Sequence, residues 1–227
     1  MAFLHDWPNL VLAIALGTLL FALFDIQKYF YFLIPVAAFV LVSYFAKFLA
    51  ARHFGFKIRT RLTSLQRFWF SDQYKSPFPI PVWLILPLLI AFLSYGTIKL
   101  MTFMGTLYKP EPKRLFRKFE LDEFDMAKIN ISSIIACAFL VFLFHAFSLY
   151  DFAAVGAWFI VSNLIPLGSL DGSRIFYASW LTWTFLFVFC IIALALVHLT
   201  NVIISVILGL LVAVIVFVYF LYKYLAT

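Results

Sequence analysis

The sequence predicts an all-α fold: a polytopic transmembrane helical bundle of six to seven apolar segments, forming a single integral membrane domain over residues 1–227. Three observations carry this prediction. Apolar residues make up 66% of the chain and charged residues only 12%, with a mean hydropathy of +1.06, and no single soluble core of this length buries so much apolar surface. Apolar runs fall at about 8–24, 30–51, 79–104, 128–149, 151–168, 180–197 and 199–222, and a helix crosses the hydrocarbon with about 20 residues. The charges gather between these runs rather than within them. The runs lack the period-two alternation of a membrane barrel, and no long repeat marks a solenoid.

The first run, 8–24, follows an acidic flank and lacks a small-residue cleavage site, so it reads as a retained helix rather than a signal peptide. After the second run comes a charged loop, 52–78, in which Arg52, Lys57, Arg59, Arg61, Arg67 and Lys75 face a single acid, Asp72. Basic loops stay in the cytoplasm. Two helices precede this one, so the N-terminus is expected there too. Within the loop, "FKIRTRLTSLQRFWF" partly alternates apolar and basic residues and suggests a short amphipathic strand or interfacial segment. A second charged loop, 105–128, contains "YKPEPK", a bend or extended linker. It then reaches "ELDEFD", whose carboxylates suit the positive end of a following helix.

The net charge of +7 is explained by these loops and calls for no nucleic acid. Cys137 and Cys190 lie inside apolar runs and read as small buried hydrophobes. Trp7, Tyr29, Trp69, Trp180, Tyr222 and Tyr224 sit near run ends, as interfacial belts do. Residues 180–222 read as peripheral helices, the last of them lipid-exposed. Apart from Lys47, Lys99 and Asp171, no charge is placed at depth, which argues against an ion channel or proton relay.

One apolar run ends in an unusual way. Residues 163–172 read "NLIPLGSLDG". Proline and glycine unwind a helix end, and freed backbone is tolerated at membrane depth only where it lines a polar cavity. Asn163 can bond such freed groups, and Asp171 offers a hard anionic oxygen to a cation. Taken alone, Asp-Gly after an apolar helix also fits an ordinary interfacial turn that caps the next helix. The whole stretch resembles the second motif of the site-2 protease family of intramembrane zinc metalloproteases, Asn-x-x-Pro-x-x-x-x-Asp-Gly, here Asn163, Pro166, Asp171 and Gly172. In that family the aspartate is the third zinc ligand. The continuation "GSRIFYASW" resembles the archaeal branch.

The family's first motif, His-Glu-x-x-His, puts two zinc ligands on one helix face, with a glutamate that activates the metal-bound water. Its usual Ala-Arg-x-x-Gly tail is matched by Ala51, Arg52 and Gly55. In register with that tail, the motif itself reads Ser43-Tyr44-Phe45-Ala46-Lys47. Both histidine positions and the glutamate position are degenerate, at Ser43, Lys47 and Tyr44. The family's Gly-Pro-x-x-Asn element would fall near 128–137, where the chain reads "KINISSIIAC" with Cys137 near the Asn position. The resemblance places an inherited core at 30–55 and 128–180.

Two arrangements are open to Lys47. Its ammonium fills the place of the metal and pairs with Asp171, or it snorkels to the cytoplasmic interface. For both motifs to reach the same face, 79–104 must re-enter the membrane rather than cross it, with a break near Ser94-Tyr95-Gly96. The resemblance then implies a catalytically inactive homologue, a pseudoprotease that needs no cofactor. Its role would be to bind or scaffold a membrane protein or transmembrane peptide in the lipid bilayer. Two other readings stay open: an active zinc protease with a non-standard site drawing on His53, His145, His198 and Asp171, and a structural or assembly subunit of a membrane complex. His5 lies apart at the N-terminus.

Overall fold

The computed structural model describes residues 2–62, 65–67, 75–101, 104–110, 122–168, 170–197 and 199–225. Among the loop residues discussed above, Trp69, Asp72 and those from 111 to 121 lie outside the described residues, as does His198. Helix α1 (Ala2–Phe21) leads through a short 3-10 turn (Ile26–Lys28) into the long α2 (Tyr29–Phe54). Gly55 ends α2 with φ of 81°, and its N–H bonds the carbonyls of Ala51 and Arg52. That left-handed geometry favours glycine, and it reverses the chain.

Strand β1 (Phe56–Leu62) runs back from Gly55 and alternates buried Phe56 and Ile58 with exposed Lys57 and Arg59. After it come a hairpin of β2 (Leu65–Arg67) with β3 (Lys75–Ile80), the short α3 (Val82–Leu93), and β4 (Met104–Pro110). β4 pairs antiparallel with β1, from Phe56 opposite Pro110 to Leu62 opposite Met104. The chain therefore leaves and rejoins the end of α2 side by side. The fold is mostly helical, with these two small sheets beside the helices, and β1 lies where the sequence suggests a short amphipathic strand. Helix α3 has 12 residues, about 18 Å at helical rise, and it breaks at Tyr95 and Gly96, both at positive φ.

Helix α4 (Glu123–Ala146) begins where the acidic run predicts. Asp122 accepts a hydrogen bond from the Phe124 N–H, and Glu123 and Asp125 occupy the first turn. Then follow α5 (Tyr150–Leu164), α6 (Asp171–Ala178), α7 (Trp180–Leu196) and α8 (Val202–Leu225). α4 packs against α2, α5 and α6, whereas α8 packs mainly on α7. Among the described residues three helices are long and apolar enough to cross a membrane: Ile26–Phe54, Glu123–Ala146 and Val202–Leu225. Asp6–Phe21, Val82–Leu93 and Trp180–Leu196 are shorter apolar helices.

Candidate functional site

Positions 43, 47 and 51 share one face of α2, one turn apart, and all three residues are buried there. Small side chains let α4 lie close against that face. Ser43 Oγ and Ser133 Oγ are 2.8 Å apart, and the Ser132 hydroxyl donates to Ala46 O at 3.4 Å. On the opposite side, α5 stops at Leu164 and the chain turns through Gly168 at φ of 57°. Asp171 is the first residue of α6 and is 1% exposed.

Gly172 is dictated by this path. A Cβ there would lie 2.1 Å from the carbonyl oxygen of Leu164. The freed Leu164 carbonyl is held by the Trp183 indole N–H at 2.8 Å. Asn163, expected to bond freed groups at the helix end, instead donates to Phe159 O within α5 at 2.9 Å. Ser173 secures the loop by donating to the carbonyls of Leu170, at 2.7 Å, and Gly168, at 2.8 Å.

The two motifs meet at Lys47 and Asp171. Lys47 Nζ lies 2.7 Å from Asp171 Oδ2 and 2.8 Å from Oδ1, with Thr106 Oγ1 on β4 at 3.4 Å. The two side chains are 8% and 2% exposed, so of the arrangements open to Lys47 the structure has the buried one. Tyr44 turns the other way. Its hydroxyl donates to Asp6 Oδ2 at 3.3 Å, while Asp6 Oδ1 accepts from the Thr60 N–H at 3.1 Å. Asn9 completes that link by donating to Thr60 O at 2.8 Å. α1, α2 and β1 are thereby tied together.

Beside the pair stands Tyr108, whose hydroxyl donates to Asn130 Oδ1 at 2.6 Å. Burial above all, and then the Asp171 carboxylate, push the Tyr108 phenol above its ordinary pKa and keep it a neutral donor. The Arg174 guanidinium lies over the same ring, 5.1 Å from its centre. What remains of a cleft is a cavity of about 10 Å³, lined by Ala13, Ser43, Lys47, Met104, Phe159 and Asn163 among others. That is room for about one water and for no peptide. A wider, open depression of about 670 Å³ lies at His145, Tyr150, Thr200 and Asn201, apart from this polar cluster.

The residues present do not fit zinc, which takes lone-pair donors from thiolate, imidazole or carboxylate groups. Ser43 shares its hydroxyl with Ser133, Lys47 brings an ammonium, and both oxygens of Asp171 face that ammonium. The two histidines whose side chains are described are not gathered here: His53 is in the last turn of α2 and His145 in the last turn of the antiparallel α4. Among the described residues no group of three His, Cys, Asp or Glu is placed to hold a metal ion. Cys137, near the family's Asn position, is buried and directs its thiol to Phe39 O at 3.8 Å.

Several contributors went unread in the sequence. Asp6, Thr106, Tyr108, Asn130 and Trp183 belong to no motif. Only Asp6, an acid at the head of an apolar run, carried a local signal. Comparisons with protein-family models, with curated proteins and with solved structures find no match for this chain.

Proposed function

We propose that this chain is a multi-pass membrane protein related to the site-2 intramembrane metalloproteases, that it has lost their chemistry, and that it holds or scaffolds a membrane-protein partner. The observation that carries the reading is the Lys47–Asp171 pair. It sets an ammonium between the second histidine position and the aspartate position, where the family arrangement would seat a metal. Tyr44, at the position of the catalytic glutamate, has no carboxylate and is engaged with Asp6. The Gly55 end of the bundle, which bears Arg52, Lys57, Arg59, Lys109 and Lys128, is assigned to the cytoplasm by its basic residues.

Zinc content tests this reading. Protein purified in detergent and washed with a mild chelator should carry no zinc by elemental mass spectrometry. A stoichiometric zinc that survives the wash would overturn it and restore the active-protease alternative.

The small cavity favours a second reading, a structural or assembly subunit whose partner docks on the outer surface rather than in a cleft. Crosslinking in native membranes separates the two. A pseudoprotease captures single-span peptides, whereas a subunit leaves the membrane with a single stoichiometric partner.

A further inference from the structure

Arg174 has a charge that the Lys47–Asp171 pair does not answer. It lies three residues beyond Asp171 on α6, partly buried, and no carboxylate reaches it among the described residues. Its guanidinium rests on the Tyr108 ring, and one terminal nitrogen approaches Met126 Sδ at 3.4 Å. Its Nε is buried without an acceptor, and so is the Nδ2 of Asn130, a residue that is 0% exposed. The two unanswered donors border the same tyrosine: Asn130 accepts its hydroxyl and Arg174 covers its ring. A water can satisfy one such donor but brings no charge, whereas an anionic acceptor would answer both the Nε and the partly buried guanidinium.

The location identifies the missing acceptor. Met126 is in the first turn of α4, a helix long and apolar enough to cross a membrane. Arg174 therefore sits at the level where such a helix leaves the hydrocarbon. That end also carries Arg52, Lys57, Arg59, Lys109 and Lys128, and juxtamembrane basic groups attract anionic headgroups. The planar guanidinium fork matches the oxygens of phosphate. We propose that Arg174 and Asn130, on the Tyr108 platform, form a binding site for a phosphate oxyanion, presented by a phospholipid headgroup or by free phosphate. The site is separate from the Lys47–Asp171 pair and does not depend on the protease resemblance.

The test uses the full chain in mild detergent, with retained phospholipid read by native mass spectrometry and thermal stability read against added inorganic phosphate. The wild type should retain a phospholipid through delipidation. Arg174→Gln should lower retention by about tenfold, since a hydrogen-bonded charge contributes roughly that much. Arg174→Lys, which keeps the charge but loses the fork, should fall between the two. Lys28→Gln, at an exposed lysine on the opposite end of α2, should retain as much as the wild type. Protection by inorganic phosphate without lipid retention, lost in Arg174→Gln, would also support the site and assign its source to a soluble anion. Should Arg174→Gln fail to fold, the wild-type titration and Arg174→Lys still decide. Neither lipid retention nor a phosphate effect in the wild type, or equal loss in Lys28→Gln, would overturn the proposal.

Discussion

The core formed by α2, α4, α5 and α6 and the outer α8 are built on different physics. In the most apolar stretch of Ile26–Phe54 and of Glu123–Ala146, 39% of residues are buried, against 17% in Val202–Leu225. The core helices are joined by polar contacts: Lys47 to Asp171, Ser43 to Ser133 and Tyr108 to Asn130. On α8 the buried Ser205 turns back to its own helix and donates to Val202 O at 2.8 Å. α8 meets α7 at a close approach of Gly209 to Ala193 and through two edge-on aromatic pairs, Trp180 with Phe220 and Phe185 with Phe217. In lipid, apolar surface alone drives helices together weakly, and polar or close-packed contacts decide which faces meet. Polar pairs specify the core of this protein, and close packing at a glycine and between aromatic rings attaches its edge.

The largest expected effect is at the ion pair. Lys47→Ala leaves Asp171 buried without its cation and should cost about 3–5 kcal/mol. Adding Asp171→Ala should cost little more, because the orphaned charge has gone. Ser205→Ala on α8 should cost under about 1 kcal/mol, since it removes one local hydrogen bond. Thermal unfolding of the wild type, Lys47→Ala, Asp171→Ala, the double variant and Ser205→Ala in one detergent measures these differences. Additive losses from Lys47→Ala and Asp171→Ala would show that the residues act separately and would remove the contrast between core and edge.

How much of this was legible in the sequence follows from the same contrast. The pairing of Lys47 with Asp171 is one of the two arrangements open in the sequence, and it is the resemblance to the family's metal-ligand positions, not a local signal, that brings these residues together. The Asp122 cap and the break near Gly96 were legible because capping and left-handed turns have local residue signatures. Tyr108 and Asn130 were not. Their meeting depends on the β1–β4 register, which carries Tyr108 back beside α4 across a separation of 22 residues, and nothing local encodes that return. Within the 79–104 run the break near Gly96 has a signature, but the non-helical backbone after it does not, because hydrophobicity by itself does not separate a helix from an extended apolar segment.

Two glycines sharpen the comparison at a smaller scale. A Cβ at Gly172 would lie 2.1 Å from the Leu164 carbonyl oxygen, and backbone cannot yield as a side chain can. Gly172→Ala should cost about 3 kcal/mol, the upper range for overpacking. A Cβ at Gly209 would meet the Ala193 methyl at 2.9 Å and its backbone nitrogen at 3.1 Å, a milder clash. The helix interior also favours alanine over glycine by about 1 kcal/mol. Gly209→Ala should therefore come out near neutral. If both substitutions lower the unfolding midpoint equally, the edge is as tightly specified as the core.

A further modest effect concerns pH. The Tyr108 phenol is held above its ordinary pKa of 10.0, first by burial and then by the Asp171 carboxylate. A raised pKa means that the folded protein keeps this proton longer than the unfolded chain does. The contribution is fully present below about pH 10 and is lost as pH rises beyond it, because the unfolded tyrosine then ionises while the folded one resists. Near pH 10.5 the loss should be about 1 kcal/mol, roughly 2–4 °C in the unfolding midpoint for a chain of this size. Tyr108→Phe gives up the hydrogen bond to Asn130 at every pH, yet it should be free of this alkaline decline. The informative quantity is the difference between the two proteins from pH 8 to 10.5, because every other tyrosine and lysine titrates alike in both. If the wild type and Tyr108→Phe decline in parallel, Tyr108 is not the buried neutral donor that joins β4 to the core.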